Sequence, residues 1–202
     1  MSRVLVPILA YSAFAISLFA HEAAHSLVAW RRGVAARPIS VRFIPWMLVA
    51  YTPILDKRKL KCLERRARIQ IHGAGIAANL VIWVVAGAIL VGAGGLLHPA
   101  LYLLLLLLML ANLAEAASYL TFGAIWPVSD VRWVLKEFPG TATAAIYLPG
   151  GILTGCLLWA TTLFFRSGHM AVCWAFFWSE FVLLSSSRIV LTGAWRRPIR
   201  PR

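Results

Sequence analysis

Apolar residues run almost unbroken through five stretches: Val4–Trp30, Ile71–Leu97, Ala100–Phe122, Thr141–Phe165 and Met170–Leu191. Each has roughly the 20 residues a helix needs to cross a bilayer. The pattern predicts an all-α polytopic membrane protein with about five transmembrane helices. The first run has only Arg3 before it and resembles a signal peptide in position, but it is long and carries His21, Glu22 and His25 near its end. It reads as a retained span. Between the first two spans, Ile39 to Phe43 alternates apolar and polar residues, a weak strand signal. Phe43 to Tyr51 is apolar and too short to cross, which suits a membrane-associated hairpin or re-entrant loop. Leu60 to Ile71 reads as a basic amphipathic helix on the membrane surface. In the fourth stretch Pro149 predicts a kink, and the Gly151/Gly155 spacing permits close helix contact.

Composition agrees: the chain is 61% hydrophobic over 202 residues, well above the half typical of soluble domains. One membrane domain, residues 1–202, accounts for the length. The net charge of +13 raises the question of nucleic acid, but its distribution answers it. Seven basic residues crowd into Lys57 to Arg68 and four more into Arg196 to Arg202. Basic clusters flanking spans are orientation signals and anionic-lipid contacts, so no nucleic-acid partner is expected. The same rule places both clusters in the cytoplasm, with the N-terminus outside and the C-terminus inside. Cys62, Cys156 and Cys173 form no metal-binding spacing and read as small hydrophobes.

Against that background "HEAAH", His21 to His25, stands out. Ionisable groups in hydrocarbon are costly and mark function. Residues four apart share a helix face, so His21 and His25 can direct two imidazole nitrogens at one metal. Glu22 sits beside them as a general base. This is the logic of zinc hydrolases: zinc lowers the pKa of a bound water and polarises a carbonyl, while the glutamate shuttles a proton to the leaving amine. Chance alone gives roughly three such motifs per thousand chains of this His and Glu content, so the alternative of hydrogen-bonded interior histidines is disfavoured.

A catalytic zinc needs a third protein ligand. Asp130 is favoured. His25 lies six residues before Arg31, about 9 Å along a helix, so the pair sits near the cytoplasmic end of its span. The third span runs inward, bringing Asp130 to the same depth, and Pro127 would break the helix and free the carboxylate. Glu115 and His72 are the alternatives.

These residues resemble the site-2 protease family of intramembrane zinc metalloproteases. "HEAAH" in the first span, "GAGIAAN" (Gly73 to Asn79) in the second and "PVSDVRWVL" after the third carry the likeness, over roughly residues 4–135. Against the family's A-G-P-x-x-N, Ala74, Gly75 and Asn79 match and Ile76 replaces the proline. Against N-x-x-P…P-x-L-D-G, Pro127 and Asp130 match. Ser129 precedes the aspartate, Val131 replaces the glycine, and Glu115 stands where the first proline would be. The resemblance implies a three-helix catalytic core, residues 4–135, with residues 141–191 as two additional helices. It implies Zn2+ held by His21, His25 and Asp130, Glu22 as catalytic base, and Asn79 at the substrate backbone or oxyanion. It also implies a β-like loop at Ser40 to Tyr51 that pairs with an unwound substrate strand. The expected activity is hydrolysis of peptide bonds in or near transmembrane segments of a membrane-protein or membrane-embedded peptide substrate, in the cytoplasmic membrane. Two rivals stand beside it: a non-catalytic relative that binds clients, and a metal transporter, which would stack ligands along a pathway.

Overall fold

The computed structural model describes residues 4–44, 49–52, 57–122, 129–138, 144–165 and 169–196. It contains α1 (Leu5–Arg31), β1 (Arg42–Ile44), β2 (Val49–Tyr51), α2 (Lys57–Cys62), α3 (Arg65–Ala93), α4 (Pro99–Phe122), α5 (Asp130–Lys136), α6 (Ala144–Thr162) and α7 (Met170–Arg196). The protein is predominantly helical. Four of these helices, α1, α3, α4 and α7, are long and apolar enough to cross a membrane among the described residues. They carry large apolar side chains on their outer surfaces, such as Val81, Val84, Val91 and Val182, as lipid-facing helices do. The protein is an integral membrane protein. The fourth expected span coincides with α6, a 19-residue helix that continues through Pro149.

The helix α4 is the axis of the fold. Its membrane window is 72% buried, against 22–28% for the other three spans. A helix apolar on every side can be surrounded on every side: Leu103, Leu106, Leu107, Leu110 and Leu113 are all sealed from solvent. Helices α1, α3, α6 and α7 all pack on it. Below the leucines, Ala111, Ala114, Ala116, Ala117 and Ser118 make α4 slender near the polar residues of α1. Trp83 Nε1 donates to Thr161 Oγ1 at 2.9 Å, joining α3 to α6, and the Tyr102 hydroxyl donates to Phe164 O at 2.7 Å, joining α4 to the end of α6.

The glycines of α6 behave differently from the spacing-based expectation. A Cβ at Gly151 or Gly155 would meet nothing. Gly150 makes the close approach instead, with its α-carbon against the Leu120 backbone of α4. The basic helix expected over Leu60 to Ile71 also breaks. Glu64 is extended (φ −58, ψ 151), so α2 ends at Cys62 and the arginines from Arg65 onward become the first turns of the spanning helix α3.

β1 and β2 pair antiparallel, with Arg42 opposite Tyr51 and Ile44 opposite Val49. The Phe43–Tyr51 loop tip, residues 45–48, lies outside the described residues, as does Pro127. The short ladder is fastened to α1 at two points. The Ser40 amide donates to Ser26 Oγ at 2.8 Å, and Thr52, which follows β2, bonds to Glu22.

Candidate metal centre

His21 and His25 lie on the face of α1 that meets α3 and α4. Both are buried, at 0% and 7% exposure. Asp130 is the first residue of α5, and it is oriented from both ends of that helix. At the N-terminus the Ser129 side chain caps α5, accepting from the Arg132 amide at 3.3 Å. At the C-terminus Arg68 of α3 grips Glu137 with two bonds, Nε to Oε1 at 2.8 Å and Nη2 to Oε2 at 2.6 Å. That guanidinium holds the Glu137 carboxyl below its ordinary range.

Three atoms converge. His21 Nε2 and His25 Nε2 are each 3.1 Å from Asp130 Oδ2, and 3.1 Å from one another. The chemistry of the donor set fits a metal. A tetrahedral zinc with bonds of about 2.0–2.1 Å sets its ligand atoms about 3.3 Å apart, close to the spacing observed. The third wall of the site is Gly75 of α3, where a Cβ would run into His21 Cε1 and Nε2 and His25 Nε2. Only a residue without a side chain leaves that space to the donor atoms.

The outer edges of the rings are also held. His25 Nδ1 donates to Ile71 O at 2.6 Å, which leaves the Nε2 lone pair of the neutral ring facing the cluster. Tyr119 stacks on His21, with centroids 5.1 Å apart and planes 5° from parallel. Asn79 is fully buried, with Nδ2 3.1 Å from His21 Nδ1.

The profile of peptidase family M50 matches residues 9–185 of the 202-residue chain. The chain belongs to that family, the site-2 protease family. No curated protein and no solved structure matches it. In this M50 chain, His21, His25 and Asp130 form a group able to hold a metal ion. The two alternative third ligands lie elsewhere. His72 stacks on Trp133 of α5, with centroids 5.6 Å apart. Glu115 sits on the opposite edge of His21, with Oε1 3.6 Å from Nδ1.

Sequence reasoning singles out Glu22 but misses what holds it. The Thr52 amide donates to Glu22 Oε2 at 2.7 Å, and Thr52 Oγ1 lies 2.8 Å from the same oxygen and 2.9 Å from the Glu22 carbonyl. Nothing in "AYTPIL" marks this threonine. Only the fold of the loop brings it back to α1.

Proposed function

We propose that this protein is an intramembrane zinc metalloprotease that cleaves peptide bonds in or near the transmembrane segments of membrane proteins. The observation that carries the reading is the triangle of His21 Nε2, His25 Nε2 and Asp130 Oδ2, with Glu22 next in the chain to His21, in a membrane-embedded member of family M50. The three residues are the metal ligands. A zinc ion bound there would supply Lewis acidity to the scissile carbonyl and lower the pKa of water. Glu22, oriented by Thr52, takes a proton from the attacking water and passes it to the leaving amine. Because β2 leads directly into Thr52, an extended substrate strand alongside the β1–β2 ladder would lie close to Glu22. Asn79 lies behind His21, at the nitrogen remote from the cluster, which supports a part in holding that ring in addition to the substrate contact expected from the resemblance.

Residues 1–202 act as one membrane domain, with residues 4–135 as the core and residues 141–191 as two further helices. With α6 counted as a fifth span beside the four longer helices, the positive-inside rule gives an outside N-terminus and a cytoplasmic C-terminus, with the site near the cytoplasmic face. The ligands gather at one point among the described residues, which favours hydrolysis over transport.

The test is metal dependence. The purified chain in nanodiscs is expected to hold about one zinc and to cleave a single-span substrate. Chelation abolishes cleavage and added zinc restores it. Well-folded protein that binds no metal would overturn the reading in favour of a non-catalytic relative. Thr52→Val keeps the backbone amide bond to Glu22 and removes the hydroxyl. A hydrogen bond to a charged group is worth about 1.5–3 kcal/mol. The expected result is a fall in kcat of about tenfold or more, with KM and zinc content unchanged, read by steady-state kinetics and elemental mass spectrometry.

A further inference from the structure

We propose that Glu115 is a positioning residue for His21, its carboxylate drawing the imidazole proton to Nδ1 and so keeping Nε2 free to bind metal; the inference rests on the metalloprotease reading above. An imidazole that binds a metal through Nε2 carries its proton on Nδ1, and that proton needs an acceptor. Among the described residues two side chains face His21 Nδ1. One is the Asn79 carboxamide, whose Nδ2 lies at 3.1 Å and whose buried Oδ1 has no hydrogen-bond partner, so that a half-turn of the amide would bring an acceptor to the same place. The other is Glu115 Oε1 at 3.6 Å, which as a carboxylate can only accept. Asn79 can serve either tautomer, according to which end of its amide faces Nδ1. Glu115 as a carboxylate serves only the tautomer with the proton on Nδ1, in which Nε2 is free and the donor set is complete.

The surroundings of Glu115 suit the task. It is buried in the centre of the fold at 3% exposure, where an ionised carboxylate is costly unless partnered. Ser17 Oγ donates to its second oxygen at 3.2 Å, fixing the carboxylate from the α1 side. One turn along α4, Tyr119 stacks on the same imidazole. The two residues hold His21 by its edge and by its face. In the loaded site, positive charge shared through the ring meets the carboxylate in a low dielectric, where the attraction is strong. Glu115 also occupies the position at which the family motif has proline, so this chain carries a carboxylate where the motif has no polar group.

A second buried acid supplies the control. Glu180 of α7 is 4% exposed and lies within electrostatic reach of Glu115. Its oxygens have no hydrogen-bond partner among the described residues.

The experiment measures zinc affinity of the full chain in detergent micelles by competition with a chromophoric chelator. Loss of an outer-shell partner typically weakens metal binding 10–100-fold. Glu115→Leu is expected to fall about 100-fold. Glu115→Gln, which keeps an acceptor of the same shape without the charge, is expected to fall about tenfold. Glu180→Gln is expected to bind zinc as the wild type does. The order Glu, Gln, Leu identifies a role through the acceptor, because a merely space-filling residue would be served as well by Gln. Wild-type affinity in Glu115→Gln overturns the proposal, including where Glu115→Leu fails to fold. Equal weakening by Glu180→Gln also overturns it. A wild-type chain that binds no zinc overturns the metalloprotease reading itself.

Discussion

Glu22→Gln is expected to lower the cleavage rate by about 10²–10⁴-fold while the protein keeps its zinc and its fold. The substitution is nearly isosteric. The glutamine carbonyl can still accept from the Thr52 amide and hydroxyl, so the side chain stays where the wild-type group is held. What disappears is the ability to take a proton. His21, His25 and Asp130 are untouched, and the triangle of 3.1 Å contacts that supports the metal assignment does not include Glu22. The measurement is a single-turnover assay on a single-span substrate in nanodiscs, with zinc counted in the same samples. Cleavage within tenfold of wild type would remove Glu22 from the role of base and return the chain to its non-catalytic rival. Loss of zinc together with activity would instead make Glu22 part of the metal's support. Thr52→Val is its milder counterpart, since it loosens the same carboxylate without removing it.

The parts of this protein that could be read from sequence are those whose physics is local. A span is a long apolar run, and α1, α3, α4 and α7 lie where the runs predict. The pairing of His21 with His25 follows from helix geometry alone. Asp130 depends on depth, which charge asymmetry supplies, yet the same reasoning keeps Glu115 and His72 open. The structure separates them by side: Asp130 meets Nε2 of His21, Glu115 faces Nδ1, and His72 packs on Trp133. Long-range features had no local signature. Gly150 packs on Leu120, whereas the glycines in the familiar spacing, Gly151 and Gly155, face open space. The central place of α4 is equally hidden, because an all-round apolar helix suits lipid as well as protein. Thr52 reaches Glu22 only through the course of a loop.

Gly75→Ala is expected to lower zinc affinity by about 5–150-fold without unfolding the protein. The added methyl would occupy the space against His21 Nε2 and His25 Nε2, the two nitrogens that define the donor triangle. Relief would require α3 to back away from α1, and α3 is fastened on both sides of this position. One turn before it, Ile71 O accepts from His25 Nδ1 at 2.6 Å; one turn after it, Asn79 Nδ2 lies 3.1 Å from His21 Nδ1. Retreat of α3 therefore drags both histidines off their outer contacts, and no retreat forces their inner atoms apart. Overpacking a rigid site costs about 1–3 kcal/mol, and each 1.4 kcal/mol is tenfold in affinity. Here the cost falls on the ligand atoms themselves, in the loaded state above all. Helix propensity acts in the other direction, since alanine is favoured over glycine by about 1 kcal/mol inside a helix, so the metal-free protein keeps its thermal stability. Gly73→Ala is the matched control, two residues away on the same helix with open space around its Cβ. It gains the same propensity and should bind zinc as the wild type does. Chelator competition and thermal melts on the two variants decide the matter. Equal zinc binding by both would mean that α3 yields at Gly75, and that the close fit of this wall is not what shapes the metal site.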